Sequence, residues 1–228
     1  MERISKNPMI SLLLTMRKNS KFFPKFMAGF LTHTKNFNNV ELLIMASEHD
    51  TWNEDLFELW KDKITVFRED WKVGKNGRHY FYNELAKSAK GDWLWHMCDD
   101  HYLLDGYDEY LVNYINESGL DSKLPMVIVP RVENSGSIAH IISRGWYEKT
   151  GRIGMHGNID SYLNEVISKL ENRIDFHPDK PILWDYTTDP TIMTSEHTKT
   201  AVTNNLPVYD LNSPETKRFI DEDIGRLE

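Results

Sequence analysis

The chain has 228 residues, enough for one domain with a buried core. Hydrophobic residues make up 40% and charged residues 27%, the balance of a folded globular protein rather than a disordered one. The net charge of −8 excludes the cationic field that binding a nucleic-acid duplex requires, whereas a phosphorylated small molecule needs only a few local positive charges or a metal ion. The one cysteine, Cys98, excludes an intrachain disulfide. The apolar run Met9–Met16 is too short to span a bilayer. It is followed by Arg17, Lys18, Lys21 and Lys25 rather than by a small-residue cleavage site. The expectation is a soluble, cytoplasmic protein with no transmembrane segment.

Met9–Met16 reads as a strand buried on both faces. From Asn19 to Asn39, Phe22, Phe26, Phe30 and Phe37 recur at helical spacing. Val40–Ser47 is a second strand, Trp52–Trp60 a short helix and Ile64–Phe67 a third strand. A helix rich in Tyr, Asn and Ala fills Gly77–Lys90; Gly91 stops it, and Asp92–Cys98 is a fourth strand. Asp105–Ser118 is a helix and Met126–Val132 a further strand. Strands alternating with helices in this way predict βαβ units: a single α/β domain over residues 1–186, with a mainly parallel central sheet flanked by helices. Residues 187–228 differ. Thr187–Pro207 is polar and aperiodic, and Ser213-Pro214-Glu215 combines a capping Ser, a Pro at the first helical position and an acid in the first turn. The end of the chain therefore reads as a polar, partly ordered tail with a short helix.

Parallel sheets bind ligands at the carboxyl ends of their strands. Arg17 follows the first strand, Ser47-Glu48-His49-Asp50 the second, and Cys98-Asp99-Asp100-His101 the fourth. An apolar strand that stops on two adjacent acids sets like charges side by side. That pair is either a solvated turn or a site for Mg²⁺ or Mn²⁺, which prefer oxygen ligands and bridge carboxylates to a substrate diphosphate.

The segment before it decides what the pair resembles. Lys75 and Arg78 lie in and beside a basic, Gly-containing loop, Asn83 sits within the following helix, and Ala89-Lys90-Gly91-Asp92 leads into the apolar strand. A basic loop, a helix bearing Asn, an A-x-G-D turn and a strand ending in acids resembles, in that order, the family-2 glycosyltransferases of the GT-A fold. Gly151-Arg152-Ile153-Gly154 followed by Asp160 is similar to the family segment that carries the catalytic base. The match runs from about Ile10 to Asp185. It departs at the DxD metal motif, whose triplet falls on Cys98-Asp99-Asp100, so that Cys98 stands where the first Asp belongs.

The resemblance implies a GT-A (Rossmann-like) fold and a hexosyltransferase-type, inverting transfer of sugar from a nucleotide-diphosphate donor, UDP-linked for preference, to an acceptor hydroxyl. It implies Mn²⁺ or Mg²⁺ at Asp100, with His101 and the late His177 as further ligands. Thr15, Arg17, Ser47, Glu48, Asp50, Lys75, Arg78, Asn83 and Asp99 would line the donor site. Asp160 would be the base with Glu165 as the fallback, and Arg144 and Trp146 would form the acceptor side. Three other readings remain open: a GT-A domain that binds donor without turnover, a zinc or two-metal hydrolase built on His96 to His101, and a nucleotidyltransferase.

Overall fold

The computed structural model describes residues 9–16, 21–46, 58–69, 78–133, 139–155, 159–171, 173–175, 181–185 and 211–228. Its strands are β1 (Ile10–Thr15), β2 (Val40–Ala46), β3 (Ile64–Arg68), β4 (Trp93–Cys98), β5 (His101–Leu103), β6 (Val127–Val129), β7 (Val132–Glu133), β8 (Ile141–Ser143), β9 (Arg173–Asp175) and β10 (Leu183–Asp185). The helices are α1 (Phe23–His33), α2 (Arg78–Ser88), α3 (Tyr107–Glu117), α4 (Arg144–Thr150), α5 (Ile159–Ser168) and α6 (Pro214–Leu227).

Seven strands form the main sheet in the order β3-β2-β1-β4-β8-β6-β9. The first four are mutually parallel, β8 runs antiparallel to both of its neighbours, and β6 and β9 are parallel. A strand buried on both faces must be apolar at every position, and β1 is buried at all six of its residues. Alternate residues then feed two cores. Leu12, Leu14, Trp93, Trp95 and Met97 join Phe26 and Phe30 of α1 on one side. Leu13, Leu43 and Leu94 join Tyr82 and Leu85 of α2 and Leu163 of α5 on the other.

The amino end of this sheet is locked by polar groups. Gly91 N–H donates to Ser11 Oγ at 2.8 Å, Met9 N–H donates to Asp92 Oδ2 at 3.0 Å, and Arg144 donates to the carbonyls of Gly91 and Ala89. The chains pass so closely that a Cβ on Gly91 would lie 2.5 Å from Ser11 Oγ and 2.8 Å from Met9 O. Gly91→Ala is expected to cost about 1–3 kcal/mol through overpacking, read from the urea midpoint.

Two expectations need correction. Met126–Val132 is not one strand: it divides into β6 in the main sheet and β7 in a small three-stranded sheet, β5-β10-β7. Pro130 lies between them and has no N–H to give to a ladder. The C-terminal helix is longer than expected and is not an appendage. α6 has 14 residues, is capped by Ser213 Oγ accepting from Thr216 N–H, and packs on α4 and α5 through Ile220 and Leu227. Asp223 at its centre is fully buried and accepts from Arg152 Nε at 2.8 Å and Tyr162 Oη at 2.6 Å. The short helix expected at Trp52–Trp60 lies mostly outside the described residues.

Candidate functional site

Four parallel strands carry their last residues to one edge of the sheet: Thr15, Ala46, Arg68 and Cys98. Thr15 pairs in register with Cys98, so the ends of β1 and β4 lie side by side there. Asp99 and Asp100 form the turn beyond β4, and His101 opens β5 in the second sheet. The turn is held by a 3.1 Å hydrogen bond from Cys98 N–H to His101 Nδ1. The Cys98 thiol, the Asp100 carboxylate and the His101 imidazole each place a donor atom within 4.8 Å of the others. A divalent cation fits this set through the Asp100 oxygen, which suits Mn²⁺ or Mg²⁺; the thiol and imidazole add softer donors than those ions usually take.

On the same face of β4, one alternation back, stands His96, which is 1% exposed. Because β8 is antiparallel, it brings its amino end to this edge, and His140 immediately before it stacks on His96 with ring centroids 5.7 Å apart. Asp160, in the first turn of α5, closes the group. Its Oδ1 lies 2.7 Å from His96 Nε2 and 3.8 Å from His140 Nδ1. Burial by itself would raise the Asp160 pKa; the two imidazoles outweigh it and hold the carboxyl well below the usual carboxylate range. Asp160 is therefore ionised at neutral pH. Its side chain keeps 34% of its exposure, and among the described residues no hydrogen bond falls on Oδ2. Tyr82 of α2 covers His96 edge-on, with its hydroxyl donating to Met97 O.

The remaining expected site residues divide into three groups. Thr15, Asp99, Asp100, His101 and Asp160 gather at the carboxyl edge. Asn83, Arg144, Trp146 and Glu165 do not. Asn83 clamps the loop after α4, accepting from Ile153 N–H at 2.7 Å and donating to Gly154 O at 2.9 Å, so its amide is spent on the scaffold rather than on a donor. Arg144 is engaged at the opposite end of β4, and Trp146 is 1% exposed in the core, so neither forms an acceptor wall. Glu165 points toward α6, where it lines a surface pocket with Lys169, Lys217 and Asp221. Arg17, Ser47, Glu48, Asp50, Lys75 and His177 lie outside the described residues, as does the side chain of Arg78. Sequence reasoning missed His140. Its one signal was a single ionisable residue inside the apolar run Ile138 to Ile142.

No family model matches the chain, and no curated protein does. Solved structures do. S. aureus TarS, in its 1–349 form with UDP, superposes with a TM-score of 0.62 at 11% identity over 96% of this chain and 70% of that one. Against the longer S. aureus TarS chain the TM-score is 0.62 at 11% identity over 96% of this chain, which spans only 42% of that protein. The mannosyltransferase PcManGT from Pyrobaculum calidifontis, with GDP-Man and Mn²⁺, gives 0.61 at 10% identity over 97% of this chain and 70% of that one. The chain shares the GT-A-like fold of these glycosyltransferases. Among the described residues, no helix is long and apolar enough to cross a membrane.

Proposed function

We propose that the protein is a glycosyltransferase that moves a sugar from a nucleotide-diphosphate donor to an acceptor hydroxyl with inversion at the sugar carbon. One observation carries this reading. The turn bearing Asp100 and an ionised, partly exposed carboxylate, Asp160, flank the same edge of a GT-A-like sheet. Structural neighbours with this fold were solved with UDP, UDP-GlcNAc or GDP-Man, the last with Mn²⁺. A UDP-sugar is the favoured donor, and the hexosyltransferase type follows from the resemblance in the sequence.

Asp100, with His101 and Asp99 beside it, would hold Mn²⁺ or Mg²⁺; His177 is proposed as a further ligand. When bound, the cation supplies positive charge to the departing diphosphate. Thr15, Arg17, Ser47, Glu48, Asp50, Lys75 and Arg78 are proposed to receive the base, ribose and phosphates. Asp160 is the base. His96 fixes Oδ1, which turns Oδ2 toward solvent, where it takes the proton from the acceptor hydroxyl. With Asp160 as the base and no side chain among the described residues assigned as a nucleophile, the proposed reaction is a direct displacement, which inverts the sugar carbon.

The test is incubation with UDP- and GDP-sugars and Mn²⁺, followed by analysis of the products. Release of UDP or GDP with a sugar of inverted configuration is expected. Pyrophosphate release would assign nucleotidyl transfer instead, and a bound but intact donor would assign a binding module.

A further inference from the structure

His96, His140 and Asp160 share no residue with the Cys98, Asp100 and His101 group, and their donor atoms also lie within 4.8 Å of one another. Their hydrogen bonds determine which ring nitrogens carry hydrogen. His96 Nδ1 faces the main-chain oxygen of His140 at 3.1 Å. A carbonyl oxygen only accepts, so Nδ1 carries a hydrogen, and Nε2 is directed at Asp160 Oδ1, 2.7 Å away, with a hydrogen between them. His140 repeats the pattern. Its Nε2 lies 3.1 Å from Asn164 Oδ1, the partner to which it donates, and its Nδ1 is turned to the same Asp160 oxygen at 3.8 Å. That nitrogen is buried, and among the described residues His140 Nδ1 has no hydrogen-bond partner.

Two imidazole nitrogens and one carboxylate oxygen thus converge from three separate elements, each ring anchored by its outer nitrogen. Metal-ligating histidines are oriented in this way, with the outer nitrogen held by an acceptor and the inner one turned to the ion. Imidazole nitrogen with a single carboxylate suits zinc and its neighbours rather than Mg²⁺, and three protein ligands leave a fourth position for water. We propose that His96 Nε2, His140 Nδ1 and Asp160 Oδ1 bind a divalent transition-metal ion of the zinc type, at a site distinct from the Asp100 turn. Without metal, one proton bridges His96 Nε2 and Asp160 Oδ1; the entering ion replaces it, and the proton leaves to solvent. A consequence rests on the proposed function: an ion on Asp160 takes the catalytic base, so zinc inhibits transfer.

The test uses the full chain carrying Cys98→Ser, which removes the only thiol. Titration with Zn²⁺ is expected to give one ion per chain. Co²⁺ is expected to give a visible ligand-field spectrum, with no thiolate charge-transfer band. Adding Asp160→Asn or His140→Gln should weaken binding at least tenfold, while Asp100→Ala should not. His140 is buried, so its variant can fail to fold; Asp160 is partly exposed and its Asn variant near-isosteric, which keeps the test decisive. The proposal is overturned if the Cys98→Ser chain takes up neither ion, if folded Asp160→Asn binds as tightly as its parent, or if Asp100→Ala abolishes binding. Zinc uptake with these variant effects but no nucleotide binding would refute the glycosyltransferase reading and leave the metal site standing.

Discussion

Asp160→Asn is expected to lower the rate of sugar transfer by about 10²–10⁴-fold, the usual contribution of a positioned general base. The loss should fall on kcat, with donor affinity unchanged, because the base meets the acceptor proton only as the reaction proceeds. The geometry explains why a near-isosteric change suffices. His96 holds Oδ1 at 2.7 Å, and an amide in its place keeps the shape of the α5 terminus but has no lone pair of comparable basicity on its outer arm. Steady-state kinetics with the donor identified in the product assay, beside a thermal melt, separate loss of chemistry from loss of fold. A folded variant retaining more than about a tenth of wild-type kcat would remove Asp160 from the base role, since even the weakest general bases contribute more than that.

Asp223→Ala is expected to destabilise the fold by about 3–5 kcal/mol, the cost of breaking a buried ion pair from one side. Asp223 is fully buried, and the side chain of its partner Arg152 keeps only 12% exposure, so the guanidinium cannot recover its hydration when the carboxylate is removed. Tyr162 loses the shorter of its two hydrogen bonds in the same step and keeps the one to Phe219 O. This network joins α6 to α5 and to the loop after α4. Urea unfolding should show a lower midpoint with the slope preserved. A loss below about 1 kcal/mol, the range of an exposed pair, would mean that α6 is not integral to the core.

Local chemistry made most of the sheet legible in the sequence. The parallel strands are doubly buried, so their apolar runs and bounding polar residues identified them to within a residue or two; the break at Pro130 was missed, although one missing N–H accounts for it. The α6 segment was harder to read because its stability comes from Arg152, about seventy positions away. The site was legible only where its residues are contiguous. Cys98 to His101 stood out as a run, whereas the His96, His140 and Asp160 group exists only because an antiparallel strand and a helix start converge on β4. Asn83, Arg144 and Trp146 lie in motif-like positions but are committed to scaffolding. A polar residue next to a motif is equally consistent with holding the chain, and only its partners distinguish the two.

The most direct test of the donor site is an equilibrium titration of UDP and of GDP, each with and without Mn²⁺, on the wild-type chain and on Asp100→Ala. One nucleotide should bind in a metal-dependent manner, and the substitution should weaken that binding at least tenfold. Failure of both nucleotides to bind in the presence of metal, or binding indifferent to both the metal and Asp100, would contradict the assignment.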